Sequence, residues 1–191
     1  GAREEHRPVA VQPRTRRSLG TAAALALLLT LGACGDDPET LEHVTVSASA
    51  TDPDTSQTTT VHGYVPDLAL PAGTTLEAPL DDPVILAVDV TVAVGPDRGF
   101  SVRPSDFTLR TSSGGSVAAL TTVNRALEDE SLWPLLEVGS GSTLRGWLAF
   151  PVERGSVDGA TLVAARPESM TVEGRGSLEA ATFEVSLEPA D

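Results

Sequence analysis

Lysine is absent from this chain of 191 residues, cysteine and tyrosine occur once each, and aromatic residues make up only 4%. Each shortage excludes something. Without lysine there is no Schiff-base nucleophile and no phosphate-loop lysine. A single cysteine cannot build an internal disulfide framework. So few aromatic rings leave little material for a stacked sugar-binding platform. Long apolar runs are missing too: the longest, Thr21 to Ala33, falls short of the roughly 20 residues a membrane-spanning helix needs. Positive charge is scarce and unevenly placed. All 13 basic residues are arginine, and five of them (Arg3, Arg7, Arg14, Arg16, Arg17) precede residue 34, so the remaining eight face 25 of the 27 acids and the formal charge past residue 33 is −17. Such a surface repels phosphate backbones, so no nucleic-acid partner is expected.

What is present begins with the pair Arg16-Arg17 leading into the apolar run, which closes on Leu31-Gly32-Ala33-Cys34. A basic flank, a short apolar stretch and small residues at its end have the composition of an export signal. The closing four residues resemble the bacterial lipobox. The resemblance implies cleavage between Ala33 and Cys34, acylation of the Cys34 sulfur, and a membrane partner reached through the lipidated Cys34. Two long acyl chains, at about 0.8 kcal/mol per buried methylene, hold a protein durably where one would not. Thr15-Arg16-Arg17-Ser18-Leu19 also partly resembles a twin-arginine export motif, although Gly20 stands where an apolar residue is usual, so the general secretory route stays open beside it.

Three segments follow from this reading: a signal peptide over 1–33, an acidic flexible tether over 34–42, and a domain over 43–191. The tether, with Gly35-Asp36-Asp37-Pro38, shows no apolar period. Beyond it, Val44–Ala50 alternates with period two, Thr58–Val65 is a second β-branched run, and Pro66–Pro83 reads as an irregular connection. The strongest strand comes next. Val84, Leu86, Val88, Val90, Val92 and Val94 share one face, and Ile85, Ala87, Asp89, Thr91 and Ala93 the other. Strands are then expected over Asp106–Thr111 (Phe107 and Leu109 inward), Val117–Val123, Thr143–Val152 (Leu144, Gly146, Leu148 and Phe150 on one face), Ala160–Ala165 and Ala181–Leu187 (Phe183, Val185 and Leu187 inward). Glycine-rich turns at Ser112–Gly115 and Gly139–Ser142 separate them, and a short helical turn is plausible only in Asn124–Leu136. About eight short strands with so little helix predict an all-β, antiparallel, immunoglobulin-like β-sandwich.

Val88-Asp-Val-Thr-Val92, Pro104-Ser-Asp-Phe107-Thr-Leu109, and Val138-Gly-Ser-Gly-Ser-Thr-Leu-Arg-Gly146-Trp147-Leu-Ala-Phe150 with the closing Ala181–Leu187 strand resemble telokin-like immunoglobulin-fold domains of Gram-positive lipoproteins. The resemblance is strongest over 84–187. It implies the fold and an extracellular, lipid-anchored address, without an assigned activity.

Catalytic, metal and cofactor residues are not expected. His43 and His62 are the histidines beyond residue 33, and they lack the i, i+4 helical spacing of a zinc pair. No G-x-S-x-G elbow occurs. Asp52/Asp54, Asp81/Asp82 and Glu128-Asp129-Glu130 could gather oxygens around calcium, a second reading in which the acidic loops bind an ion or small ligand, although 25 acids produce clusters by composition alone. Strand alternation places Trp147 and Arg145 opposite Phe150. There they either form a partner contact of the aromatic-plus-arginine type or lie beneath the Asn124–Leu136 segment, with Trp147 against Trp133. The sequence therefore predicts a lipid-anchored extracellular module for protein interaction or an accessory role at the envelope, with an envelope protein as a candidate partner and no catalysis.

Overall fold

The computed structural model describes residues 41–76, 79–96, 100–170 and 177–190. The predicted signal peptide, with Ala33 and Cys34, and residues 34–40 of the predicted tether lie outside the described residues, as does part of the Gly95–Gly99 turn. Thr40–Asp191 forms one compact unit.

Ten strands and one short helix make up the described chain: β1 (Val44–Thr51), β2 (Thr58–Ala69), β3 (Pro83–Ala93), β4 (Phe107–Arg110), β5 (Ser116–Ala118), α1 (Asn124–Asp129), β6 (Thr143–Glu153), β7 (Thr161–Arg166), β8 (Ser169–Met170), β9 (Ser177–Leu178) and β10 (Ala181–Ser186). One sheet has the order β1-β2-β3-β6 and the other β10-β7-β4-β5, with β8 and β9 as a small separate ribbon. Every pairing between these strands is antiparallel. The chain crosses between the sheets from β3 to β4, from β5 to β6 and from β6 to β7. These crossings put β3 beside β6 in one sheet, and β7 between β4 and β10 in the other, which is the central arrangement of an immunoglobulin Greek key. The β1–β2 hairpin extends the first sheet.

Alternation explains the main core. Val84, Leu86, Val88, Val90 and Val92 of β3 meet Leu148 and Phe150 of β6, Phe107 and Leu109 of β4, Leu162 of β7 and Val185 of β10 between the sheets, all at 2% exposure or less. Burying each such side chain contributes about 1.5–3 kcal/mol before conformational entropy is counted. The opposite face of β3 changes character along its length. Ile85 and Ala87 are buried in a second apolar cluster with Val65, Leu68, Val123, Ala126 and Leu127, because the segment through α1 lies across them. Farther along, the same face presents Asp89 and Thr91, and there the helical cover ends.

Several expectations need correction. β2 runs through Ala69, so Pro66 lies inside a strand; the register shifts between Val65 and Leu68, and that irregularity accommodates a residue without an N–H. The return strand expected over Val117–Val123 stops at Ala118, and a 3₁₀ turn at Thr121–Val123 feeds α1 instead. Phe183 is only half-buried, and the Arg166 guanidinium carbon lies 5.9 Å from its ring centre.

Candidate functional site

The outward face of the first sheet, where the helical cover stops, collects the chemistry-bearing side chains. In the register, Asp89 stands opposite Gly63 on β2 and Trp147 on β6, while Thr91 stands opposite Arg145. Gly63 is required at its position. A Cβ there would strike the Val44 carbonyl oxygen and come within 2.8 Å of the His43 ring, so only glycine lets that ring lie against the sheet. His43 in turn meets Trp147 edge to face, with ring centres 5.8 Å apart. Asp89, at 2% exposure, is a buried carboxylate on a nominally outward face.

Burying a carboxylate is costly unless it is paired. Arg145 supplies the pair with two parallel bonds, its Nε donating to Oδ1 at 3.0 Å and its NH2 to Oδ2 at 2.6 Å. The hydrogen bonds and the charge of Asp89 push the arginine's already high pKa further up, so the guanidinium stays charged. The pair is lopsided: the Arg145 side chain is 63% exposed and that of Asp89 only 3%. What reaches the surface is therefore a guanidinium fixed in position by a counter-ion beneath it.

A strap running from α1 to β6 borders this face. The Trp147 N–H donates to the Trp133 carbonyl at 2.9 Å and the Leu135 N–H to the Trp147 carbonyl at 2.8 Å, so the strap lies parallel to β6 along its open edge. Gly146 permits the crossing, since a Cβ there would lie 2.6 Å from the Leu135 Cα. Trp147 is half-buried and packs with Leu132 against the second apolar cluster. The two tryptophans are joined through the backbone, and the expected packing of Trp133 on Trp147 does not occur. Trp133 points outward at 78% exposure, with Leu136 at 66%. The sequence reading missed Trp133 as the exposed ring, because an irregular segment has no period from which a side chain's direction can be read.

The remaining candidates lie elsewhere or are already engaged. His62 Nε2 and Thr91 Oγ1 are 2.8 Å apart, and among the described residues neither histidine bonds a carboxylate. Asp52, at 1% exposure, accepts from Arg166 NH1 at 2.8 and 2.6 Å, from the Thr55 hydroxyl at 2.6 Å and from the Asp54 N–H at 2.9 Å. Burial pulls its pKa up, but the Thr55 and Asp54 bonds and the Arg166 guanidinium outweigh that and hold the carboxyl below its ordinary value. Arg166 also reaches Asp54 at 3.2 Å. The Asp81 and Asp82 N–H groups donate to the Glu153 carboxylate, and Asp82 pairs with Arg154 at 2.8 Å. Asp129 faces Arg125 at 3.7 Å. Among the described residues, no group of three or more histidine, cysteine, aspartate or glutamate side chains could hold a metal ion.

Two clefts lie among the described residues. One, of about 390 Å³, is lined by Ser105, Asp106, Ala165, Pro167, Ala181 and Thr182. Arg166 borders it, yet the unpartnered Arg166 Nε is buried and out of a ligand's reach. The other, of about 200 Å³, is chiefly apolar, with Leu76, Leu80, Val117, Leu120 and Pro151.

Fold and site together define a class: an immunoglobulin-like sandwich that displays an ordered arginine on the outward face of one sheet and an exposed tryptophan on the strap at that sheet's edge. The chain belongs to the family described as a domain of unknown function (DUF4352), which matches residues 49–173. Among curated proteins, none matches it. Similar solved structures include the yjhA protein of Bacillus subtilis, at 19% identity over 64% of this chain and 81% of that one, with a TM-score of 0.43. A candidate lipoprotein of the same species, ycdA, is 20% identical over 74% of this chain, with a TM-score of 0.47; the match spans only 39% of ycdA. A functionally unknown protein from Listeria monocytogenes is 13% identical over 78% of this chain and 87% of that one, with a TM-score of 0.45.

Proposed function

We propose that this chain is a lipoprotein of the Gram-positive envelope, anchored at the extracellular face of the cell membrane through an acylated Cys34. Its telokin-like immunoglobulin domain serves as an accessory module that engages an envelope protein and performs no catalysis. The anchor rests on Leu31–Cys34 and the signal composition before it. The module role rests on one observation above all, the Arg145 guanidinium held outward over buried Asp89 and flanked by Trp147. An arginine so fixed loses little conformational freedom on binding, which favours contacts to carboxylates and carbonyls.

Fractionation of cells expressing the Cys34→Ala variant tests the anchor: the variant leaves the membrane fraction, and its retention there would refute acylation. A photo-crosslinking residue at position 145 tests the contact. It captures a discrete envelope protein that the same probe at Glu184, on the other sheet, does not; identical capture at both positions rejects this face as the contact.

A further inference from the structure

Trp133 and Leu136 are the large apolar side chains left exposed among the described residues, and both stand on the strap beside β6. That strap is also where the chain enters the domain. Leu41, the first described residue, packs against the same cluster as Leu132 and Trp147, and His43 meets the Trp147 ring. We infer that the Trp133–Leu136 strip docks on the phospholipid headgroup layer of the membrane that holds the anchor, an inference that rests on the Cys34 reading above.

Reach decides which side of the domain can touch that membrane. Cys34 is seven residues upstream of Leu41, a span of about 25 Å at most when extended. A domain of this size has a radius of gyration of about 15 Å, so its far side lies beyond the tether's reach and the side carrying Leu41, Trp147 and the strap lies within it. Chemistry agrees with geometry. Tryptophan, with an apolar body and an N–H donor, is enriched at membrane interfaces, and leucine beside it adds apolar area.

Charge favours the same side. Past residue 33 the formal charge is −17, so the domain as a whole is repelled by anionic lipid. Among the described residues, Arg103, Arg110, Arg125 and Arg154 each pair with an acid that is itself substantially exposed, and Arg166 is buried. Arg145 differs, because its counter-ion is beneath the surface. Arg145 lies on β6, the strand that the strap borders.

The test couples the chain from Cys34 onward, through that one cysteine, to a maleimide lipid in vesicles of phosphatidylcholine and phosphatidylglycerol in equal parts, with and without brominated acyl chains. Docking shifts tryptophan emission to the blue, and brominated lipid quenches it. Trp133→Phe abolishes the quenching although Trp147 still emits, and Leu136→Asp, at an exposed position that leaves the core intact, abolishes it with Trp133 present. Emission indifferent to brominated lipid overturns the docking, as does quenching that survives Trp133→Phe. So does crosslinking at position 133 to a second copy or to a protein partner instead of lipid. Because the coupling supplies the tether artificially, these outcomes are independent of acylation in the cell, which the mass of the Cys34 peptide reports separately.

Discussion

Asp52 and Arg166 show how much a single residue pair decides in this molecule. They lie 114 positions apart in sequence, and their contact ties the β1–β2 turn of one sheet to the end of β7 in the other. Both side chains are nearly fully buried, at 0% and 4% exposure, so removing the Asp52 charge leaves buried Arg166 with only the more distant, half-exposed Asp54 as a counter-ion. Asp52→Asn should cost about 3–5 kcal/mol, read as a lower urea midpoint with an unchanged slope. The pH dependence has a definite sign. The folded-state pKa of Asp52 lies below the ordinary 3.8, so its contribution is fully present above that value and is lost as pH falls through the lower folded value. Wild-type stability should therefore drop on acidification below the ordinary carboxylate range, and Asp52→Asn should flatten that part of the curve. A curve of equal steepness in the variant would assign the acid sensitivity to other groups. This pair was not legible beforehand. The sequence offered Asp52 and Asp54 only as oxygens for calcium, and nothing local marks a partner more than a hundred residues away.

Elements were more legible than pairs, for a physical reason. A strand buried on one face must alternate, and β3, β4 and β6 each carried their inward residues at the predicted parity, as Phe107, Leu109, Leu148 and Phe150 show. Even the change along the outer face of β3, from Ile85 and Ala87 to Asp89 and Thr91, was written in the sequence; it marks where the α1 cover ends. What alternation does not encode is an irregular segment. The strap therefore came out of the structure alone, and so did the passage of β2 through Pro66. Gly146 tests the strap at this scale. A methyl group there meets the backbone of Leu135, which cannot rotate away as a side chain could. Gly146→Ala should destabilise by about 1–3 kcal/mol. It should also speed hydrogen exchange at the Leu135 and Trp147 amides, the two donors of the strap's bonds, more than at the Leu148 amide. Uniform exchange across β6 would show that the strap adapts.

At the scale of the whole molecule, the first sheet is a middle layer, with the inter-sheet core on one side and the smaller cluster under α1 on the other. Two cores of unequal size predict unequal consequences. Leu127→Ala should cost about 2–5 kcal/mol by opening the smaller one. The amides of Phe107 and Leu162 should then keep a higher protection against exchange than the amide of Ala149; a parallel fall at all three would mean that both cores open as one unit. The strap has a final consequence at this scale. An uncovered edge strand offers a row of unpaired N–H and C=O groups to any neighbouring chain, and β6 is the last strand of its sheet. The strap occupies part of that row from within the same chain, which deprives a second copy of a template for edge-to-edge pairing. It is thereby a guard against self-aggregation, of most value wherever many copies are confined to one surface and collide often.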